Sequence, residues 1–175
     1  MGRLKITYCF HLDILNQNEE IYEVWGKEVY NSKGDLLGVI KKTGKFNRKI
    51  GLYDIKDNEI VTLDTKNFIF FNNYVLKTGS QLLAKINTPF LNIKAKGENG
   101  KTLLKIRNID KTGTIKDGEN NPIAQMIITD TKTKRWFEMG IPIKKLHIID
   151  KKFDRTLLLG FFVSLKQIHY DQPST

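Results

Sequence analysis

The sequence predicts a mainly β protein, a closed antiparallel barrel of about twelve strands enclosing a hydrophobic C-terminal α-helix. Three observations lead there. Strand-turn-strand units recur along the chain. The positions flanking each turn alternate between apolar and polar side chains. One dense apolar block, residues 157–165, stands close to the C-terminus. At 175 residues and 20.3 kDa a single domain, 1–175, is the expectation.

Each element has its own signal. The run Leu4, Ile6, Tyr8, Phe10, Leu12 alternates with period two and reads as a first strand. Five units follow: 29-VYNSKGDLLGVI-40, 53-YDIKDNEIVTL-63, 74-YVLKTGSQLLAKI-86, 93-IKAKGENGKTLLKI-106 and 115-IKDGENNPIAQMI-127. Each has a short strand, a turn built on Gly or Asn, and an apolar pair. The pairs begin at Leu36, Ile60, Leu82, Leu103 and Ile123, so they lie 24, 22, 21 and 20 residues apart. Gly34, Asn58, Gly79, Gly100 and Gly118 are the residues expected to supply the positive φ of tight hairpins. Lys85, Lys105 and Gln125 sit between apolar neighbours and should point outward. Five hairpins give ten strands, and the alternation from Trp136 to Ile149 adds another.

The repeat is too degenerate and too short for a solenoid or a propeller, whose blades need about 40 residues each. A sandwich or a closed barrel remains, and closure removes the exposed edges.

The C-terminal stretch 153-FDRTLLLGFFVSLKQIHY-170 opens with a capping candidate, Asp154, and is apolar all round from Leu157 to Leu165. A helix over 154–168 is about 22 Å long. Its apolar block covers nine residues, whereas a bilayer needs about 20, and Lys152, Arg155 and Lys166 bracket it. An interfacial helix would need a polar face, which the block lacks. A helix surrounded by protein is left, and a barrel of 11 or 12 strands has room for one. Ser164 is expected to bond from helix to barrel.

The chain carries +10 formal charge, unevenly spread. Residues 1–30 hold three Lys and Arg against five Asp and Glu, hence −2; the rest, +10 less −2, carries +12. Such a balance attracts phosphates on nucleic acid or on anionic lipid. The plainer account is a lysine-rich soluble surface. A single cysteine, Cys9, excludes a disulfide framework and fits a reducing compartment. The opening MGRLKITYCFHLDIL is too interrupted by polar residues for a secretory signal core. The expected location is therefore cytoplasmic, peripheral at a membrane if lipid is the ligand.

The repeated units, such as 29-VYNSKGDLLGVI-40 and 93-IKAKGENGKTLLKI-106, together with the ending 150-DKKFDRTLLLGFFVSLKQIHY-170, resemble the tubby C-terminal-like superfamily. That superfamily includes tubby domains, phospholipid scramblases and the LURP-one-related proteins. The resemblance implies a twelve-stranded barrel around a hydrophobic C-terminal helix. It also implies a binding role, since tubby domains hold phosphoinositide head groups through basic exterior side chains. It does not extend to scrambling. Cys9 is alone rather than in an acylated cluster, and 54-DIKDNE-59 is too sparse for a calcium loop.

Two basic clusters are the candidate lipid- or phosphate-binding residues. The first is Lys41, Lys42, Lys45, Arg48 and Lys49, in 41-KKTGKFNRK-49, with Phe46 able to dip toward acyl chains. The second is Lys132, Lys134 and Arg135, beside Trp136 and Phe137. A third group, Lys144, Lys145, Lys151 and Lys152, reads as solvating the helix entrance. Solvated loops explain the first two equally simply.

Catalysis finds no carrier. His11, His147 and His169 lack metal-ligand spacing, Cys9 reads as inert, and no G-x-S-x-G, Walker A or G-x-G-x-x-G is present. No catalytic residue, metal or cofactor is expected. The expectation is a non-catalytic module for an anionic membrane surface or phosphoinositide-like head group. The alternative is a nucleic-acid-binding or protein-interaction barrel.

Overall fold

The computed structural model describes residues 21–25, 27–43, 49–68, 71–88, 92–107, 113–132 and 141–171. Twelve strands lie in these segments: β1 (Ile21–Trp25), β2 (Glu28–Asn31), β3 (Leu36–Thr43), β4 (Lys49–Asp54), β5 (Glu59–Phe68), β6 (Phe71–Thr78), β7 (Gln81–Asn87), β8 (Asn92–Lys96), β9 (Thr102–Arg107), β10 (Gly113–Asp117), β11 (Pro122–Lys132) and β12 (Ile141–Ile148). One helix, α1 (Arg155–Asp171), follows them. Neighbours in sequence are neighbours in the sheet, all antiparallel, and β1 pairs with β12. The sheet is thus a closed barrel with no free edge.

The five hairpins read from the sequence are β2 to β11, and β12 is the late alternating segment. The Leu4–Leu12 run lies outside the described residues, and one described strand was not read from the sequence. It is β1, 21-IYEVW-25, where Tyr22 and Val24 are buried and Glu23 meets Lys145 of β12 at 2.6 Å. Five residues hold only one full alternation, too little to mark a strand by pattern.

Four turns share one geometry. In 31–35, 54–58, 97–101 and 117–121 the first residue's N–H donates to the fifth residue's carbonyl. The fourth residue's N–H donates back to the first carbonyl. The fourth residue is left-handed each time: Gly34 (φ 88°), Asp57 (69°), Gly100 (77°) and Asn120 (76°). This is a type I turn followed by a one-residue bulge. It corrects two expectations, since Asp57 and Asn120 take the positive φ, not Asn58 and Gly118. Position in the five-residue loop decides, and Asn58 and Gly118 occupy its fifth and second places. Their fourth-place neighbours tolerate the conformation because short polar side chains do so best. Gly118 is needed for another reason. A Cβ there would lie 2.4 Å from the Thr102 carbonyl oxygen.

The inward residues of the strands and α1 form one core. Leu52, Leu63, Leu76, Ile86, Ile93, Leu104, Ile115, Met126 and Leu146 meet Leu158, Phe161, Phe162 and Leu165 of the helix. Every residue from Leu157 to Leu165 is buried, as an all-round apolar helix requires. Asp154 caps it, with Oδ1 accepting from the N–H of Thr156 at 2.8 Å and of Leu157 at 3.2 Å. Ser164 does not bond to the barrel. Its Oγ donates to the Phe161 carbonyl at 2.6 Å, within the helix, because the surrounding wall is apolar. Among the described residues no helix is long and apolar enough to cross a membrane.

Candidate functional site

An up-and-down barrel sorts its connections between two ends. The turns after β2, β4, β6, β8 and β10 lie at the end where α1 enters. The last residues of β3 and β11 belong to the opposite end. The described members of both sequence-predicted clusters thereby belong to one rim. Lys41, Lys42 and Lys49 belong to the facing ends of β3 and β4, and Lys132 is the last residue of β11. Lys45, Arg48, Lys134 and Arg135 lie outside the described residues, as do Phe46, Trp136 and Phe137. The clusters are not adjacent, since β2, β1 and β12 stand between β3 and β11.

The described part of the first cluster is not one basic face. Lys41 and Lys49 point outward, whereas Lys42 shares the parity of the buried Ile40 and Ile50 at the barrel mouth, where it is exposed. Lys41 pairs with Asp57 and holds its ammonium 5.3 Å from the centre of the Tyr53 ring. The ring lies over Gly51, where a Cβ would stand 2.6 Å from Tyr53 Cε2. Lys49 donates to Glu59 at 3.2 Å, and that hydrogen bond raises its pKa above the ordinary value. Thr62 Oγ1 donates to the same carboxylate at 3.3 Å. Two of the nominated cations are therefore already neutralised.

The third group disperses as well. Lys145 is held by Glu23, and Lys151 and Lys152 are exposed in the turn before α1. Lys77 of β6 donates to Asp64 of β5 at 2.7 Å. These ion pairs all lie on the arc running from β12 through β1 to β6.

The rest of the circumference differs, and reading along the chain missed it. On β7–β10 six outward positions are basic, and five of them stand opposite one another across strands. Lys85 stands opposite Lys96, and Lys94 opposite Lys105, which stands opposite Lys116. Arg107, opposite Asn92, extends the patch. Among the described residues none of these six has a carboxylate partner within salt-bridge distance; Lys105 donates instead to the Gly118 carbonyl at 3.3 Å. Asp117, at the end of β10, takes the inward parity, and its carboxylate is occupied by its own turn. It accepts from the N–H groups of Glu119 and Asn121 and from Asn121 Nδ2, each at 2.8 Å. The Asn121 side chain is the main cause holding its pKa below 3.8, with Lys105 a lesser one. Outward Lys85 and Lys105 were legible from alternation; their alignment was not, because it depends on register.

Among the described residues no group of three or more His, Cys, Asp or Glu could hold a metal ion. His147 stands in register with Ile21 and Gln125, and His11 lies outside the described residues.

The fold defines a class: a closed, twelve-stranded up-and-down barrel with a C-terminal helix in its core. The crystal structure of a protein from Arabidopsis thaliana has a similar fold, with a TM-score of 0.58 over 85% of this chain and 90% of that one. The two share 14% of their residues, so the likeness concerns the fold alone. No protein-family model and no curated protein matches the chain.

Proposed function

We propose that this protein is a non-catalytic binding module of the tubby C-terminal-like type, engaging anionic phospholipid head groups through its basic exterior. One observation carries the reading. The barrel interior is committed to an apolar core, and the buried polar side chains among the described residues are Asn31, Thr62 and Ser164, none of them charged. Charge among the described residues is therefore an exterior property, available to a phosphate-bearing surface. Such a module is cytoplasmic and peripheral at the membrane.

The test is vesicle flotation at about 150 mM salt, where charges act over about 8 Å. Binding to vesicles containing anionic lipid, and not to neutral ones, is the expected result. Retention of neither would sink the lipid reading. A labelled duplex DNA in a parallel arm tests the nucleic-acid alternative, which predicts a steep salt dependence without any vesicle requirement.

A further inference from the structure

We infer that the outer wall of β7–β10 is the surface that seats on an anionic lipid membrane, through lysines stacked side by side across four strands. This rests on the lipid-binding reading above, and it moves the contact from the rim loops to the wall.

Register makes the patch. Strands lie about 4.8 Å apart, so the row Lys94, Lys105, Lys116 spans roughly 10 Å, with Lys85 and Lys96 one step along the strands. Like charges directly opposite one another destabilise a sheet. This wall contains three such oppositions, Lys85–Lys96, Lys94–Lys105 and Lys105–Lys116. Elsewhere the barrel neutralises outward lysines, as Lys41, Lys49, Lys77 and Lys145 show. An arrangement that opposes folding in one sector only is expected where a ligand supplies the missing negative charge.

The chemistry of the wall favours a lipid surface over nucleic acid. The strands QLLAKIN, NIKAK, TLLKIR and GTIKD contain no aromatic residue, so these four strands offer no base-stacking platform. The wall is the convex outside of a barrel, neither a groove for a single strand nor an element that enters the major groove. Five of the six cations are lysines, compact charges suited to a plane of independently moving head groups; arginine is the residue of bidentate base and phosphate recognition.

The experiment compares the full chain with two combined variants. The wall variant carries Lys94→Gln, Lys96→Gln, Lys105→Gln and Lys116→Gln. The rim variant carries Lys41→Gln, Lys42→Gln, Lys45→Gln, Arg48→Gln and Lys49→Gln. Each is floated with phosphatidylcholine vesicles, with and without phosphatidylserine, and each is melted by circular dichroism. Each lysine near an anionic surface contributes about fivefold in partitioning, so the wall variant should lose several hundredfold while the rim variant keeps most of its binding. The wall variant should also melt higher than wild type, because its like-charge oppositions are gone. If the wall variant floats like wild type and the rim variant does not, the wall assignment is wrong and the lipid reading stands. If wild type floats with neither vesicle, the lipid reading and the wall's membrane role fall together. In that case, retention of duplex DNA by the full chain and its loss in the wall variant would reassign the wall to nucleic acid.

Discussion

Gly160 of α1 lies against Leu76 of β6 so closely that a Cβ on the glycine would stand 2.8 Å from Leu76 Cδ2. Val61 Cγ2 of β5 would be 2.9 Å away. The helix therefore touches the β5–β6 wall through its one residue without a side chain. Gly160→Ala gains about 1 kcal/mol of helix propensity but meets overpacking of about 1–3 kcal/mol. A lower melting temperature is expected, and Gly160→Val should be worse. Adding Leu76→Ala to Gly160→Ala should cost less than the sum of the two single changes. A double-mutant cycle by denaturant unfolding measures this, and strict additivity would show that the two residues are not in contact.

Leu159 and Phe162 are buried within the same core, at 1% and 3% exposure. Leu159→Asp or Phe162→Asp places an unpaired carboxylate there. Neither variant should yield a soluble folded protein. Size-exclusion chromatography with circular dichroism checks this, and native-like melting of either would disprove the buried-helix assignment.

Neighbouring residues of one turn should respond oppositely. Gly118→Ala pushes a Cβ onto the Thr102 carbonyl, a backbone atom that cannot step aside, and should cost more than about 2 kcal/mol. Asn120→Gly keeps the left-handed conformation and should change stability by less than about 0.5 kcal/mol. Gly34→Ala, strained at φ 88° although its surroundings are open, should fall between, at about 1–2 kcal/mol. Urea midpoints for the three variants give the order.

Asp117 links this turn to pH. Its pKa is lowered on folding, chiefly by the Asn121 side chain. A depressed carboxylate stabilises the fold above its unfolded pKa, near 3.8, and loses that contribution as pH falls through the lower folded value. Asp117→Ala should therefore lower the melting temperature at pH 7. It should also flatten the decline below about pH 4 relative to wild type. An unchanged acid limb would show that the turn contacts do not persist in solution.

The parts of the fold that were legible in the sequence are those fixed by neighbours along the chain. Period-two alternation around the five apolar pairs beginning at Leu36, Ile60, Leu82, Leu103 and Ile123 identified ten strands, since inward and outward faces alternate whatever the partner strand. The block from Leu157 to Leu165 identified an enclosed helix, since nine residues are too few to span a bilayer and no face is polar. Local pattern failed where the decisive contact was not local. β1 has five residues and owes its place to closure between β2 and β12. Gly118 looked like a conformational glycine and is a steric one. Ser164 looked like a bridge to the barrel and bonds within its helix.

The candidate site divides the same way. Sequence alone determined that the protein is basic, rich in hairpins, and finished by a helix that must be wrapped. Along the chain Lys41 and Lys42 are adjacent and read as one basic cluster with Lys45, Arg48 and Lys49. Only the tertiary structure decided that Lys41 and Lys49 are spent on Asp57 and Glu59. It alone aligned Lys94, Lys105 and Lys116, residues 11 apart in sequence and directly opposite in space. Charge adds up along a chain without regard to partners. Whether a charge is neutralised or reinforced depends on strand register, which the pairing of whole hairpins sets.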